Sequence, residues 1–352
     1  MQQVLSRRMN PQRRRLVMAL PLLGVGAWGT GAGATAVTGP APALRTSHTL
    51  MGTRVDIAVT GLDADTLRHA TQLAVAEMQR LEALMSRYQP ASVVGRINAA
   101  AGIAPVAVPP EVMAVLRSAQ QLAATSGGAF DVTVGALKSW NFGVGEKMAP
   151  SASELARQLA LVGARGLVLD AQAGTAFLAR QGMALDLGGI AKLPILDAGM
   201  RVLRSAGIQN AMVNGGGDVL THGLWQGRPW RVGLRDPRAP ERLLGVVEAP
   251  AGPSVVASSG DYERYFFQDG QRLHHVLNPR TGRPTTGVHG VSLVARDVAA
   301  VNGLGAAMMV QGLAAGKTMA MRTPDLAVLM AGHDGTVWQS APMAALLKPA
   351  AV

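Results

Sequence analysis

Apolar residues recur with two different periods along this chain. Residues 49–59 alternate, with Val55, Ile57 and Val59 on one face, and predict a strand. Residues 63–86 instead carry Leu67, Ala70, Leu73, Ala74, Leu81, Leu84 and Met85 at helical spacing, which predicts a long amphipathic helix. Ser151 and Glu154 have the spacing of a capping box ahead of Leu155, Leu159 and Leu161, marking another helix start. Beyond residue 185 the apolar runs shorten, and 211–214, 230–234 and 244–248 read as strands between glycine and proline clusters. A small-residue helix near 299–310 and a strand near 326–330 complete the pattern. No fixed-period repeat is visible, and the mixture of periods predicts an α+β chain with no clear linker to divide it.

The first 36 residues follow another logic. Arg7, Arg8, Arg13, Arg14 and Arg15 occur there without any acidic residue, followed by an apolar run at 16–28 and an Ala34-Thr35-Ala36 cleavage candidate. Arg13-Arg14-Arg15 ahead of Leu16-Val17 resembles a twin-arginine export signal. The run is interrupted by Pro21 and is shorter than the ~20 residues a spanning helix requires, so no stable membrane anchor is expected. The expected organisation is an export signal at 1–36, a flexible segment at 37–48, one domain at 49–346 and a tail at 347–352, with a periplasmic destination.

Composition narrows the chemistry. With 48% hydrophobic and 16% charged residues, the 352-residue chain is not disordered. Taking the five leader arginines from the net charge of +11 leaves +6, spread along the chain rather than clustered, which argues against nucleic-acid binding. The absence of cysteine excludes disulfides, iron–sulfur clusters, zinc ribbons and thiol nucleophiles.

Generic site templates fail one after another. Asn214-Gly215-Gly216-Gly217-Asp218 lacks dinucleotide-fold spacing and leads into Val219-Leu220 rather than a helix. The stretch 312–318 has one residue too few for a phosphate loop and follows a helix instead of a strand. His274 and His275 are adjacent and would point to opposite faces of a strand. What remains is the 186–192 turn, where Asp186, Gly188, Gly189 and Lys192 stand together at an apparent strand-to-helix junction. Such a turn can present N–H groups and a cation to a phosphate, or simply be a glycine-rich turn with a surface lysine.

Taken in order, the polar and glycine-rich segments resemble the ApbE-type FAD:protein FMN transferases. The resemblance runs through Met51-Gly52-Thr53, Leu84-Met85-Ser86 with Tyr88, the stretch 126–135, Trp140 with Phe142-Gly143, 186–192, 214–218, Ser259-Gly260-Asp261-Tyr262 and 275–282. It implies two related T-fold-like halves with the flavin between them, and transfer of FMN from FAD to a threonine of a partner protein, a membrane-associated redox subunit. Matching positions make Met51, Tyr88, Ala129, Phe130, Asp131, Asp186 and Lys192 the flavin contacts, with Asp186 and His275 catalytic. Tyr88 and Phe130 offer apolar faces to a ring system and Lys192 a charge to a pyrophosphate. Phe130 suits core packing equally well, and Asp131 and Asp186 suit turns or caps.

The resemblance also implies Mg2+, held by a helix acid, a threonine four residues later and a main-chain carbonyl at Gly189. Here the acid has become Asn302 and the threonine Ala306, with Asp297 as a conceivable substitute. Asn278 replaces an aspartate, and Leu193-Pro194 replaces a glycine after Lys192. Two expectations follow: a transferase with eroded metal ligands, or a flavin-binding carrier or assembly factor that does not turn over.

Overall fold

The computed structural model describes residues 41–350 apart from 144, 146 and 324. Residues 1–36, expected to be an export signal, lie outside the described residues. In chain order come β1 (Ala43–Leu50), β2 (Thr53–Thr60), α1 (Ala64–Met85), α2 (Val93–Ala99), β3 (Val106–Ala107), α3 (Pro110–Thr125), α4 (Ala152–Leu159), β4 (Leu167–Asp170) and β5 (Thr175–Leu178). Then follow α5 (Lys192–Ser205), β6 (Asn210–Gly215), β7 (Asp218–His222), β8 (Arg231–Asp236), β9 (Ala239–Glu248), β10 (Ser254–Gly260), β11 (Tyr265–Gln268) and β12 (Gln271–His274). The last are β13 (Val288–Ala295), α6 (Leu304–Met321), β14 (Ala327–Gly332), β15 (Val337–Gln339), α7 (Ala341–Leu346) and β16 (Leu347–Lys348).

Eight strands form one sheet in the order β1-β2-β6-β7-β10-β13-β14-β15. Its two halves share a topology. In the first, the β1–β2 hairpin is followed by helices and the β6–β7 hairpin, with β2 paired to β6. In the second, β10 pairs β13, α6 follows, and β14 pairs both β13 and β15. The β7–β10 pairing joins them. This is the α+β class that the pattern predicted, in the two related halves that the family resemblance implied.

Side-chain alternation assigns the two faces of the sheet. Val255, Val291, Leu293, Val328 and Met330 join the core shared with α1, α5 and α6, whereas Val256, Val294, Ala327 and Leu329 join a second cluster with Val232, Leu234 and Val247 of β8 and β9. The strands therefore read as continuous apolar runs, because both faces are covered. Helix α1 is capped by Asp63, whose carboxylate accepts from the Asp65 and Thr66 N–H groups, and it buries Leu67, Ala70, Ala74, Met78, Leu81 and Met85. Leu73, expected on that face, is exposed. The Ser151–Glu154 capping box is present at α4.

Four expectations need correction. The strand expected at 49–59 is a hairpin, because Met51 (φ 53°) and Gly52 (φ 67°) both turn left-handed and reverse the chain. The 37–48 segment is not flexible throughout, since 43–48 belong to β1 and pair with β2. The C-terminal tail begins with β16, which pairs with β9. The helix expected at 299–310 starts only at Leu304, after Gly303 at φ 73°, and continues to Met321 through a non-helical Gly312.

Candidate functional site

The sheet and its helices bring the segments 126–133, 186–192 and 302–311 into one group. Asp186 donates its main-chain N–H to Val132 O at 2.7 Å, and its carboxylate accepts from Gly188 N at 2.8 Å and from Arg87 Nη1 at 2.6 Å. The Phe130 ring lies against two glycines: a Cβ at Gly189 would come within 3.2 Å of it and one at Gly303 within 3.3 Å. Asn302 donates from Nδ2 to Ile190 O at 2.9 Å, and Gln311 from Nε2 to Ser126 O at 2.9 Å. An open cavity of about 500 Å3, lined also by Leu122, adjoins this group and shares Leu304 and Gln311 with it.

A second group gathers positive charge. The 186–192 turn feeds α5, and Lys192 at the first position of that helix pairs through Nζ with Asp218 Oδ2 at 2.7 Å. Asp218 follows the β6–β7 turn and is nearly buried, its other oxygen accepting from Ser258 N at 2.9 Å. Arg264 lies across from the β1–β2 turn, with Nη2 within 3.5 Å of where a Gly52 side chain would start. His275 donates its main-chain N–H to Arg264 O at 3.1 Å.

The two adjacent histidines do face opposite ways. His274 is buried with Nε2 2.9 Å from Thr285 O, while the His275 side chain reaches solvent. Desolvation by the surrounding chain, followed by the Arg264 charge, pushes this accessible ring down to about 4. At neutral pH it is an uncharged imidazole among cations, Lys192 contributing to the same field. Such a ring can accept a proton while its neighbours attract an anion.

The remaining expected contacts divide by environment. Met51 is half-buried at the hairpin turn, where its N–H donates to Glu82 Oε1 at 2.7 Å. Tyr88 is 78% exposed with Arg87 over its ring at 5.4 Å, a stackable surface. Ala129 and Phe130 are buried in the core. Asp131 is buried too, and its Oδ1 accepts from Thr133 N and Oγ1, an Asx turn that holds the 126–133 loop. Sequence reasoning gave no role to Arg87, Asp218 or Arg264, although each lies inside or beside a motif it used.

The positions expected to hold Mg2+ offer neutral oxygen ligands and no carboxylate. Asn302 is not on the helix with Ala306 but in the turn before it, because left-handed Gly303 separates them. Its Nδ2 is engaged by Ile190 O, which leaves the Asn302 Oδ1 and the Gly189 main-chain carbonyl as neutral oxygen ligands, while the Ala306 side chain offers none. Asp297 is exposed and caps its own turn by accepting from Ala300 N at 3.0 Å. A hard cation that relies on carboxylates finds none at these three positions.

The sequence profile of the ApbE family matches residues 51–330. This chain belongs to the ApbE family. The match opens at the β1–β2 turn and closes in β14, so it includes every site residue above. A relative named FAD:protein FMN transferase from Klebsiella pneumoniae is 38% identical over 208 residues, covering 59% of this chain and 64% of that protein. One of the same name from Treponema pallidum is 34% identical over 280 residues, 75% and 77% of the two chains. The chain thus spans less than two thirds of the Klebsiella relative. Among solved structures, the ApbE protein from Thermotoga maritima superimposes with a TM-score of 0.79 at 30% identity, over 87% of this chain and 100% of that one. The flavin transferase ApbE from Vibrio cholerae gives 0.76 at 30% identity, over 88% and 100%.

Proposed function

We propose that this ApbE-family chain transfers FMN from FAD to a threonine hydroxyl of a partner protein. The observation that carries the reading is a solvent-accessible His275 whose main chain is bonded to Arg264, on a scaffold similar to the flavin transferases. The acceptor oxygen attacks the phosphorus on the FMN side, the anhydride bond breaks, AMP leaves with the bridging oxygen, and the hydroxyl proton passes to His275 Nδ1 or Nε2. Lys192 and Arg264 attract the pyrophosphate, and Tyr88 with Met51 flanks the ring system. Asp186, tied to Arg87 and Gly188 N, positions the 186–192 turn.

A second reading, flavin binding without turnover, is favoured by the missing carboxylate at Asn302 and the missing hydroxyl at Ala306. No step above is routed through Mg2+ for that reason. The twin-arginine-like leader supports export to the periplasm and an exported, membrane-associated redox subunit as acceptor.

The test incubates the mature chain with FAD and a threonine-bearing acceptor, and follows acceptor mass and covalent fluorescence. An FMN-sized mass gain, lost in His275→Ala, is expected. Saturable FAD binding with no adduct leaves the non-transferring reading in its place.

A further inference from the structure

Neighbouring strands β10, β13 and β14 bring together three side chains that the flavin chemistry does not use. Asp261 follows β10, His289 lies in β13 and His333 follows β14. The Asp261 carboxylate is 1% exposed and divides its oxygens. Oδ1 accepts from Arg272 Nη1 at 3.0 Å, whereas Oδ2 lies 2.7 Å from His289 Nδ1 and 3.4 Å from His333 Nε2. One nitrogen of each ring and one carboxylate oxygen all lie within 4.8 Å of one another.

We propose that Asp261, His289 and His333 bind a first-row divalent transition cation, with Zn2+ as the representative ion. Two imidazole nitrogens and one carboxylate oxygen are the donor set of such ions, whereas Mg2+ and Ca2+ select oxygen alone. Zinc bonds of about 2.1 Å in tetrahedral geometry place ligand atoms roughly 3.4 Å apart. The Asp261–His333 separation already has that value, His289 lies closer to the same oxygen at 2.7 Å, and no two of the three ligand atoms are more than 4.8 Å apart.

The backbone around the three residues is fixed: Asp261 N donates to His289 O at 2.9 Å and His333 N to Gly287 O at 3.2 Å. Arg272 holds the carboxylate from behind, an outer-shell partner of the kind that orients metal ligands. The His333 side chain is 39% exposed, which leaves an approach for the ion and a coordination position for water. A hydrogen bond to Asp261 accounts for His289. It leaves unexplained a second ring, just past another strand, tilted by 31° with its centroid 3.8 Å away and its nitrogen 3.4 Å from the same oxygen.

The test strips the full mature chain with a chelator and titrates it with Zn2+ alone against a competing chromogenic chelator. One equivalent bound at micromolar free Zn2+ is expected, with a rise in Tm and no competition from millimolar Mg2+. His333→Ala, a substitution at a partly exposed position, weakens binding by about 100-fold, while His69→Ala on the exposed side of α1 leaves it unchanged. X-ray absorption of the zinc complex reports two imidazole ligands. Undiminished binding by His333→Ala, a shell without imidazole, or no uptake by the wild-type chain overturns the proposal. None of these readouts depends on flavin transfer.

Discussion

The side-chain amide of Asn302 donates to the main-chain oxygen of Ile190 at 2.9 Å, across 112 positions of sequence. This bond ties the turn before α6 to the 186–192 turn. It occupies, with a neutral donor, a place where the family resemblance implies a carboxylate.

Asn302→Asp therefore removes a donor and sets a negative charge against a carbonyl oxygen. The expected cost without metal is about 1–3 kcal/mol. Added Mg2+ recovers part of it, because the new carboxylate gains a counter-cation. Thermal unfolding in chelator and in Mg2+ checks this, with wild type expected to be unmoved. An equal response of both proteins means that the position has no cation-binding capacity to restore.

Lys192 and Asp218 form a pair in which the acid is far more buried than the base, at 7% and 29% side-chain exposure. Lys192→Met leaves the carboxylate with only Ser258 N as partner among the described residues, which costs about 2 kcal/mol after allowance for solvent near the lysine. FAD binding weakens as well. Urea unfolding and fluorescence titration separate the two effects, and unchanged FAD affinity removes Lys192 from the pyrophosphate site.

For His275 the sign of the pH effect follows from a ring pushed down to about 4 from an ordinary 6.5. The unfolded chain takes up a proton below 6.5 that the folded chain refuses. The contribution to stability is thus complete above pH 6.5 and lost as pH falls towards 4. The ring also stays a competent base in mildly acidic solution, so kcat/KM keeps its histidine-dependent activity at pH 5.5. An NMR titration of the His275 ring with a midpoint near 6.5 contradicts this. His275→Ala lowers turnover by roughly 10²–10⁴-fold while FAD still binds.

Gly303 adopts φ 73°, and a Cβ there would lie 2.6 Å from Leu122 Cδ2 and 3.3 Å from the Phe130 ring. Gly303→Ala combines backbone strain with overpacking, and a loss of about 2–3 kcal/mol is expected in chemical denaturation. A neutral outcome means that Phe130 is free to move, contrary to its place between Gly189 and Gly303.

Local signals proved readable where the physics is local. Ser151 and Glu154 form their capping box, and the alternation of His274 and His275 separates a buried ring from an accessible one. The β1–β2 reversal escaped notice because Met51 carries no turn signature, and only its left-handed φ reveals the bend. The start of α6 was misplaced because small residues on both sides of Gly303 look equally helical. Partnerships across the sheet left no trace in spacing: Arg87 meets Asp186 from 99 positions away, and Asp261 meets His289 from 28. Family motifs marked Asp186, Lys192 and His275 as a set, but only the fold shows that Lys192 is already paired and that Asn302 is already engaged.

The most direct measurement of the central claim follows AMP release and flavin attachment to a threonine acceptor by the wild-type chain and by Asn302→Asp/Ala306→Thr, each in Mg2+ and in chelator. The account predicts slow transfer by the wild type with little response to Mg2+, and faster, Mg2+-dependent transfer by the double variant. FAD binding by both proteins with no AMP and no covalent flavin from either contradicts it.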